Sequence, residues 1–351
     1  MVDLSSLKNI YSGLGQVALS YGEYFKNNYD SRTATYTLTL LVPKKFFGAF
    51  GKNVNYISST NIFRKHCHCL FPKFDIWHSI HQLSRYMPSY SATKYILTIH
   101  DLNYFYERTG RSKSRRHKRI QQKVNRADEI VCISGFTKKD VENKLELNGK
   151  RCNVIYNMVR VLDDKIALKP DFYIHEPFFF TIGEIIQKKN FHVLLDVMKL
   201  IPDKHLYIIG NGADKKNNTY AMEIKRRIEE ENILNVTLKG SVSHEEKVWM
   251  YKHCLAFLFP SLLEGFGLPI IEAMQFGKLV FSSQETSLKE IGGNFSYFWK
   301  NFNPQEMKQL IDENLEKFYQ DKDLAEREKE YANLFSYEKH FEEYEKIYST
   351  I

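Results

Sequence analysis

The feature that most constrains this chain is a repeated exchange between short, almost continuously apolar runs and longer polar runs of helical character. In the first half the apolar runs are TYTLTLLV (35–42), FDIWHS (74–79), KYILTIHDL (94–102), EIVCIS (129–134) and NVIYNM (153–158). In the second half they are FFFTIGE (178–184), LYIIGNG (206–212), NVTLKGS (235–241), LAFLFPS (255–261) and KLVFSS (278–283), separated by helical stretches such as 190–200, 219–231 and 243–252. A strand that is apolar at nearly every position is covered on both faces, which is the condition of a parallel sheet flanked by helices. Two such sets predict two doubly wound α/β domains. A length of 351 residues agrees, at roughly 100–200 residues per domain.

The segment VRVLDDKIALKPDFYIHEP (159–177) is polar, carries proline and has no clean period, so the boundary is expected there. The expected parts are an N-terminal domain over 1–165, a C-terminal domain over 166–330 and a final helix over 331–351 that packs back across the domains. After residue 304 the chain reads as helical and charged, with no further strand.

Composition excludes several classes. Hydrophobic residues make up 43% and charged residues 26%, as in globular proteins. The N-terminus has no apolar stretch or cleavage pattern of a secretory signal, and the longest apolar runs fall far short of the ~18 residues of a membrane span. Five cysteines, an odd number, suit a reducing cytoplasm. His66, Cys67, His68 and Cys69 are adjacent, but no second ligand pair at metal spacing accompanies them, and no metal is expected. The net charge of +8 is concentrated in RTGRSKSRRHKRIQQKVNR (108–126) and, mixed with phenylalanine, in PKKFFGAFGKN (43–53). Basic and aromatic residues together suit an anionic membrane surface or a phosphate-bearing partner. No recognisable nucleic-acid module accompanies them, so no nucleic-acid partner is expected.

Several strands end in residues that are wrong for a core and right for a site: His100-Asp101, Ser134-Gly135, Gly183-Glu184 and Gly210-Asn211-Gly212. In open α/β sheets ligands bind outside the carboxyl ends of the strands, and two sheets facing each other would bring these ends to one interdomain cleft. The stretch PSLLEGFGLPIIEAM (260–274) adds two carboxylates, Glu264 and Glu272, on either side of Gly265-Phe266-Gly267. Pro269 suits the first position of a helix, whose open amides around Gly267 and Leu268 attract an anion. An anion seat between two acceptor-only carboxylates fits a nucleotide-sugar, with its ribose on one side of the diphosphate and its hexose on the other. A helix end supplies roughly 0.3–1 kcal/mol, whereas micromolar binding needs about 8 kcal/mol, so the helix end cannot act alone and a cation should help. Lys188 or Lys189, in GEIIQKKN (183–190), could supply it. Gly13 and Gly15, in YSGLGQ, mark a second place where backbone could approach the diphosphate.

PSLLEGFGLPIIEAMQFGKLVFSS resembles the E-x7-E segment of the GT-B, family 4 retaining glycosyltransferases. GLGQ, TIHDL, DEIVCISGFTKKDV, VIYNMV, GEIIQKKNFHVLL, LYIIGNG and KGSVSHEEKVWMYKHC are similar to that family's other segments, in the same order, from about residue 9 to 300. The resemblance implies a GT-B fold of two Rossmann-like domains facing a cleft, with C-terminal helices. It implies a nucleotide-sugar donor held mainly by the C-terminal domain and a glycan or lipid-linked acceptor held mainly by the N-terminal one. It further implies transfer of a hexose with retention, without metal or cofactor, in assembly of cell-surface polysaccharide or lipopolysaccharide. The enzyme would be cytoplasmic, peripheral at the inner face of the membrane. Residue by residue, Glu264 would contact the hexose and stabilise charge at the anomeric centre, and Glu272 would bind the ribose. The amides of Phe266, Gly267 and Leu268 would meet sugar and phosphates beside Gly183. Lys189 would neutralise the departing diphosphate, with Lys188 as a further cation, His100 would contact the sugar, and Gly13 and Gly15 would form a loop over the diphosphate.

Glu184 departs from the pattern, standing where that family usually has a cation, and is expected to point away or to pair with a base. A metal-dependent transferase of the other common fold would need Asp-x-Asp after a strand, but the Asp-x-Asp here, 321–323, lies in the helical tail. The rival functions are a nucleotide-sugar epimerase of the same fold and a non-catalytic, basic protein that binds phosphate or nucleic acid.

Overall fold

Strands form in this chain where apolar residues can be covered from both sides. The structure, a computed structural model, describes residues 1–10, 12–61, 63–64, 67–321 and 323–351. The chain divides into two units, Met1–Met158 with Tyr337–Ile351, and Val159–Ser336. The break therefore falls at 158/159, before the expected 165/166. The expected final part, 331–351, is divided between the units at 336/337.

In the first unit the strands are β1 (Val2–Asp3), β2 (Thr39–Val42), β3 (Asn55–Ser58), β4 (Ile76–Ser79), β5 (Lys94–Ile99), β6 (Glu129–Cys132) and β7 (Cys152–Val154). Among the described residues they form one parallel sheet in the order β3-β2-β1-β4-β5-β6-β7. Val2 lies opposite both Leu40 and His78, so the order of connection reverses between β1 and β4. The last helix, Tyr337–Thr350, belongs to this unit. Phe341 stacks on Tyr24 with ring centres 3.6 Å apart, and His340 Nε2 and the Tyr21 hydroxyl are 2.8 Å apart. The Tyr344 hydroxyl meets Thr98 at 2.6 Å, and the Tyr348 hydroxyl meets His78 Nδ1 at 2.7 Å.

In the second unit the strands are β8 (Phe178–Ile182), β9 (His205–Ile209), β10 (Val236–Lys239), β11 (Ala256–Phe259), β12 (Val280–Ser283) and β13 (Ser296–Trp299). They too are parallel, in the order β10-β9-β8-β11-β12-β13, reversing between β8 and β11. The helices His192–Lys199, Thr219–Glu230 and His244–His253 stand where helical stretches are expected, and Pro304–Gln320 and Leu324–Ala332 follow the last strand.

All ten expected strand segments overlap a strand, with β7 and β9 each beginning one residue earlier. Three strands are additional. β1 has two residues and too little sequence to show a period, whereas β3 and β13 are edge strands, and β3 has no buried residue. The basic run forms the helix Gly110–Arg126, which buries Ile120, Lys123 and Val124 and exposes Arg111, Arg115, Lys118 and Arg119. In the 43–53 patch Phe50 is buried in the core and stacked against Phe46, which leaves Phe47 as its exposed ring.

One buried group makes stability depend on pH. Glu328, on Leu324–Ala332, is 1% exposed, and its Oε2 has no hydrogen-bond partner among the described residues. Burial raises its carboxyl from 4.5 to about 8, against the attraction of Lys278. Between these values the unfolded chain has released a proton that the folded chain keeps, so stability falls as pH rises through that window. Glu328→Gln is therefore expected to unfold at higher denaturant than the parent at pH 7, by about 3 kcal/mol. The difference should vanish below pH ~4.5. Urea titrations at pH 4.5 and 7 that give the same difference would contradict the buried neutral acid.

Candidate active site

The reversal between β8 and β11 places two loops side by side at the carboxyl ends of the second sheet, the position at which such sheets bind ligands. The first loop leaves β8 at Gly183 and turns through the 3₁₀ segment Gln187–Lys189, ended by Asn190 at φ 57°. Gly210, after β9, has no side chain for a steric reason: a Cβ there would lie 1.6 Å from the Gly183 carbonyl oxygen. The loop is tied to its neighbour by Ile185 N to Asn211 O at 2.9 Å. The Asn218 side-chain amide adds bonds to Ile185 O at 2.7 Å and Gly212 O at 3.0 Å. It is thus held as a rigid ledge from which Lys189 projects.

The second loop leaves β11 after Phe259. Leu262 N donates to Lys188 O at 2.8 Å, joining the two loops. Lys189 Nζ forms an ion pair with Glu264 Oε1 and lies 5.1 Å from the centre of the Phe259 ring. The Ser261 hydroxyl donates to the same carboxylate oxygen at 2.7 Å. Glu264 Oε2 takes no hydrogen bond from a described residue. The backbone is pinned from the loop after β12: Thr286 Oγ1 accepts from Glu264 N at 3.1 Å, and the Ser287 hydroxyl donates to Phe266 O at 2.8 Å.

Gly267 caps the helix Leu268–Met274 at φ 113°, a left-handed conformation in which a Cβ would also press on Leu288. Pro269 is thus the second helical residue, not the first, and the helix ends at Met274, three residues before Gly277. The amides of Gly267 and Leu268 precede the helix's own hydrogen-bond ladder. Phe266 itself is buried, its ring edge-on to Phe335.

Glu272, on this helix, is held from the neighbouring helix His244–His253. Lys247 Nζ meets Oε1 at 2.8 Å and the Tyr251 hydroxyl meets Oε2 at 2.8 Å. Burial acts to raise the carboxyl, but the Lys247 ammonium, with Tyr251 and His244, holds it below the usual carboxylate range. Lys247 and Tyr251 were not singled out in the sequence, nor were Ser261, Thr286 and Ser287. For the first two the available signal is their spacing of four on one helix.

The structure thus brings Gly183, Lys188, Lys189 and Glu264 together, with Phe266, Gly267, Leu268 and Glu272 continuing from the same loop. Glu184 is exposed and has no ion pair to a described residue, in keeping with a side chain turned away. His100, Gly13 and Gly15 belong to the first unit. His100 follows β5 and is 6% exposed. Its Nε2 meets Ile80 O at 2.8 Å, which makes Nε2 the protonated nitrogen, and burial lowers the imidazole to about 4, so it is neutral. Gly13 and Gly15 do not form the expected loop: they are the first and third residues of the helix Gly13–Asn28, capped by Ser12. Gly15 is small because a Cβ would meet Asn9 O at 1.9 Å. Of the cysteine and histidine run, His66 lies outside the described residues, as does Lys322 of the Asp-x-Asp. The Cys67 and Cys69 sulfurs are 2.7 Å apart. Among the described residues no group of three or more metal-ligating side chains occurs.

Residues 23–161 match the model of Glycosyltransferase Family 4, and residues 164–334 match that of Glycosyl transferases group 1. The chain is a GT-B glycosyltransferase of the family 4 type. An uncharacterised glycosyltransferase of Methanocaldococcus jannaschii is 27% identical over 344 residues, covering 95% of this chain and 89% of that one. The O-antigen chain mannosyltransferase RfbU of Salmonella typhimurium is 27% identical over 180 residues, 51% of this chain and 48% of its own length. The chain therefore spans about half the length of RfbU in that match. Among solved structures, HepE of Anabaena in complex with UDP and glucose shares the fold at a TM-score of 0.72 and 15% identity, over 100% of this chain and 99% of that one.

The site's ion pair is testable on its own. With side chains only 12% and 15% exposed, removing one partner leaves the other charge desolvated. Lys189→Met is expected to lower stability by about 1–3 kcal/mol, and the double variant Lys189→Met/Glu264→Gln to recover part of it. Strictly additive losses in urea unfolding would mean that the two charges do not interact.

Proposed function

We propose that this glycosyltransferase moves a hexose from a nucleoside diphosphate sugar to a glycan or lipid-linked acceptor, with retention and without a metal ion. The observation that carries the reading is the Lys189–Glu264 pair at the reversal of the second sheet. The departing bond joins the anomeric carbon to the diphosphate, so negative charge grows on phosphate and positive charge on the sugar ring. A preset lysine and backbone amides stabilise the first without reorganisation. Lys189 has three N–H donors, which allows it to keep Glu264 while turning another to a phosphate oxygen. The unoccupied Oε2 of Glu264 is the acceptor for a sugar hydroxyl and the nearest negative charge for the anomeric centre. The mannosyltransferase named among the relatives supports a hexose and a place in polysaccharide assembly, and favours transfer over epimerisation or simple phosphate binding.

The donor base is read by adding GDP, UDP, ADP and CDP in turn, without metal, during thermal unfolding. At a hundred times its dissociation constant a ligand stabilises by about 2.7 kcal/mol, a shift of several degrees. One nucleotide is expected to give that shift and to name the donor. Glu264→Ala and Lys189→Ala should remain folded and lose transfer of labelled hexose, and near-normal turnover by either would remove them from the site. The reading also places the enzyme at the cytoplasmic face of a membrane, through Arg111, Arg115, Lys118 and Arg119 with Lys44, Lys45 and Phe47. Vesicles with anionic lipid should bind the protein in a salt-sensitive way, and neutralising these cations should release it. Equal retention on neutral and anionic vesicles would rule this surface out.

A further inference from the structure

Two cysteines stand apart from the other three. Cys132, Cys152 and Cys254 are buried, whereas Cys67 and Cys69 are exposed, with one residue between them and their sulfurs in contact. The contact is built into the backbone. Cys67 N donates to Phe63 O at 2.9 Å, Leu70 N to Cys67 O at 3.3 Å and Phe71 N to His68 O at 3.1 Å, which closes the turn His68–Leu70 on both sides. Phe71 then anchors the turn. It is 2% exposed, with its ring edge-on to Trp77 and Tyr86 at 5.0 and 5.6 Å and the Arg64 guanidinium 5.5 Å from its centre.

Thiols held in contact on a fixed turn are set to react as a pair. One attacks a disulfide as the thiolate, and its neighbour, already beside the new bond, displaces the remaining half. The Cys69 proton is held towards the Cys67 sulfur, which raises the Cys69 thiol and casts it as the second to react. Cysteines with one residue between them close a small, strained ring, and exposed, strained disulfides are the easily reduced kind. Cys132 and Cys152, on the neighbouring strands β6 and β7, also lie against each other, but both are buried and closed to a reagent in water.

We propose that Cys67 and Cys69 form a reversible thiol–disulfide exchange site whose substrate is a low-molecular-weight disulfide of the glutathione class. The Cys67 thiolate attacks one sulfur of the small disulfide, breaks its S–S bond, releases one small thiol and leaves a mixed disulfide on Cys67. The Cys69 sulfur then attacks Cys67 Sγ, forms the Cys67–Cys69 bond and releases the second small thiol. The protons of the two cysteines end on the two released thiols, and the two electrons lost by the pair are gained by the small disulfide. Reducing surroundings run the exchange backwards, so the pair stays a dithiol until the pool of small disulfides rises. This inference does not rest on the nucleotide-sugar reading, and either can fail alone.

The test alkylates the full chain with iodoacetamide, before and after exposure to oxidised glutathione, and maps the label by peptide mass. In the reduced parent, Cys67 and Cys69 should be labelled ahead of the three buried cysteines. After oxidised glutathione both should lose their labelling. The chain should then be lighter by two hydrogens, carry no glutathione and show a cross-link within the peptide that holds both residues. Dithiothreitol should restore the labelling. Cys69→Ser, an exposed and isosteric change, should instead retain one glutathione on Cys67, because nothing remains to displace it. Labelling of the pair unchanged by oxidised glutathione would overturn the proposal. So would glutathione retained on the parent pair, a cross-link between chains, or one between Cys132 and Cys152.

Discussion

A parallel strand covered on both faces has no room for charge until its chain leaves the sheet. In the second unit Phe179, Phe180, Leu206, Ile208, Phe257, Leu258 and Phe281 are fully buried, and the chemistry-bearing side chains stand after the strands that carry them. Which of those strand ends meet is decided by the strand order. The reversal between β8 and β11 sets the exit of one strand beside that of the other, so Lys189 and Glu264, 75 positions apart in the chain, form an ion pair. Gly210 follows from the same crowding, because the exits of β8 and β9 approach until a Cβ no longer fits.

That logic also explains how much was legible beforehand. The central strands announce themselves by being apolar throughout, and the polar residues after them mark the carboxyl ends, so the two-sheet architecture, Gly183, Glu264 and the pair Lys188 and Lys189 could be read directly. Edge strands such as β3, half in solvent, have no such signature. Gly13 and Gly15, expected in a loop, open a helix instead: Ser12 caps the helix that begins at Gly13, and Gly15 is small to pass Asn9. The spacing of Lys247 and Tyr251 sets them on one helix face, but it does not say what that face meets, because they reach Glu272 through space, from another helix. A lysine and a tyrosine four apart on a polar helix look like an ordinary surface until the neighbouring helix is in place.

The final helix shows the same limit at larger scale. Its charged, amphipathic sequence reads as a covering element, and nothing local assigns it to one half. The decision comes from its aromatic face: Phe341 and Tyr344 are almost completely buried and lie against Tyr21, Tyr24 and His78. The first unit thus completes its core with the last residues of the chain, and the second unit is inserted within it. The insertion begins and ends at neighbouring places, since Val159 N donates to Phe335 O at 2.8 Å. A covering helix drawn from the chain's far end needs such adjacent crossings.

Two carboxylates beside the proposed diphosphate seat pose an electrostatic problem, since each would repel an anion if left alone. The structure answers it by giving each acid its own lysine, Lys189 for Glu264 and Lys247 for Glu272. A buried pair of this kind is weak evidence for stability, because apolar residues of similar volume often serve as well. Its consequence here is electrostatic: the four side chains sum to no net charge, so an arriving anion meets neither acid unscreened, while both retain open acceptor positions for hydroxyls. The pairs differ in what they leave available. Lys189 holds one oxygen of Glu264, together with Ser261, and leaves the other without a partner, whereas Lys247 and Tyr251 divide the oxygens of Glu272 between them. One acid is therefore held asymmetrically, with both of its bonds on a single oxygen, and the other symmetrically, with one bond on each oxygen.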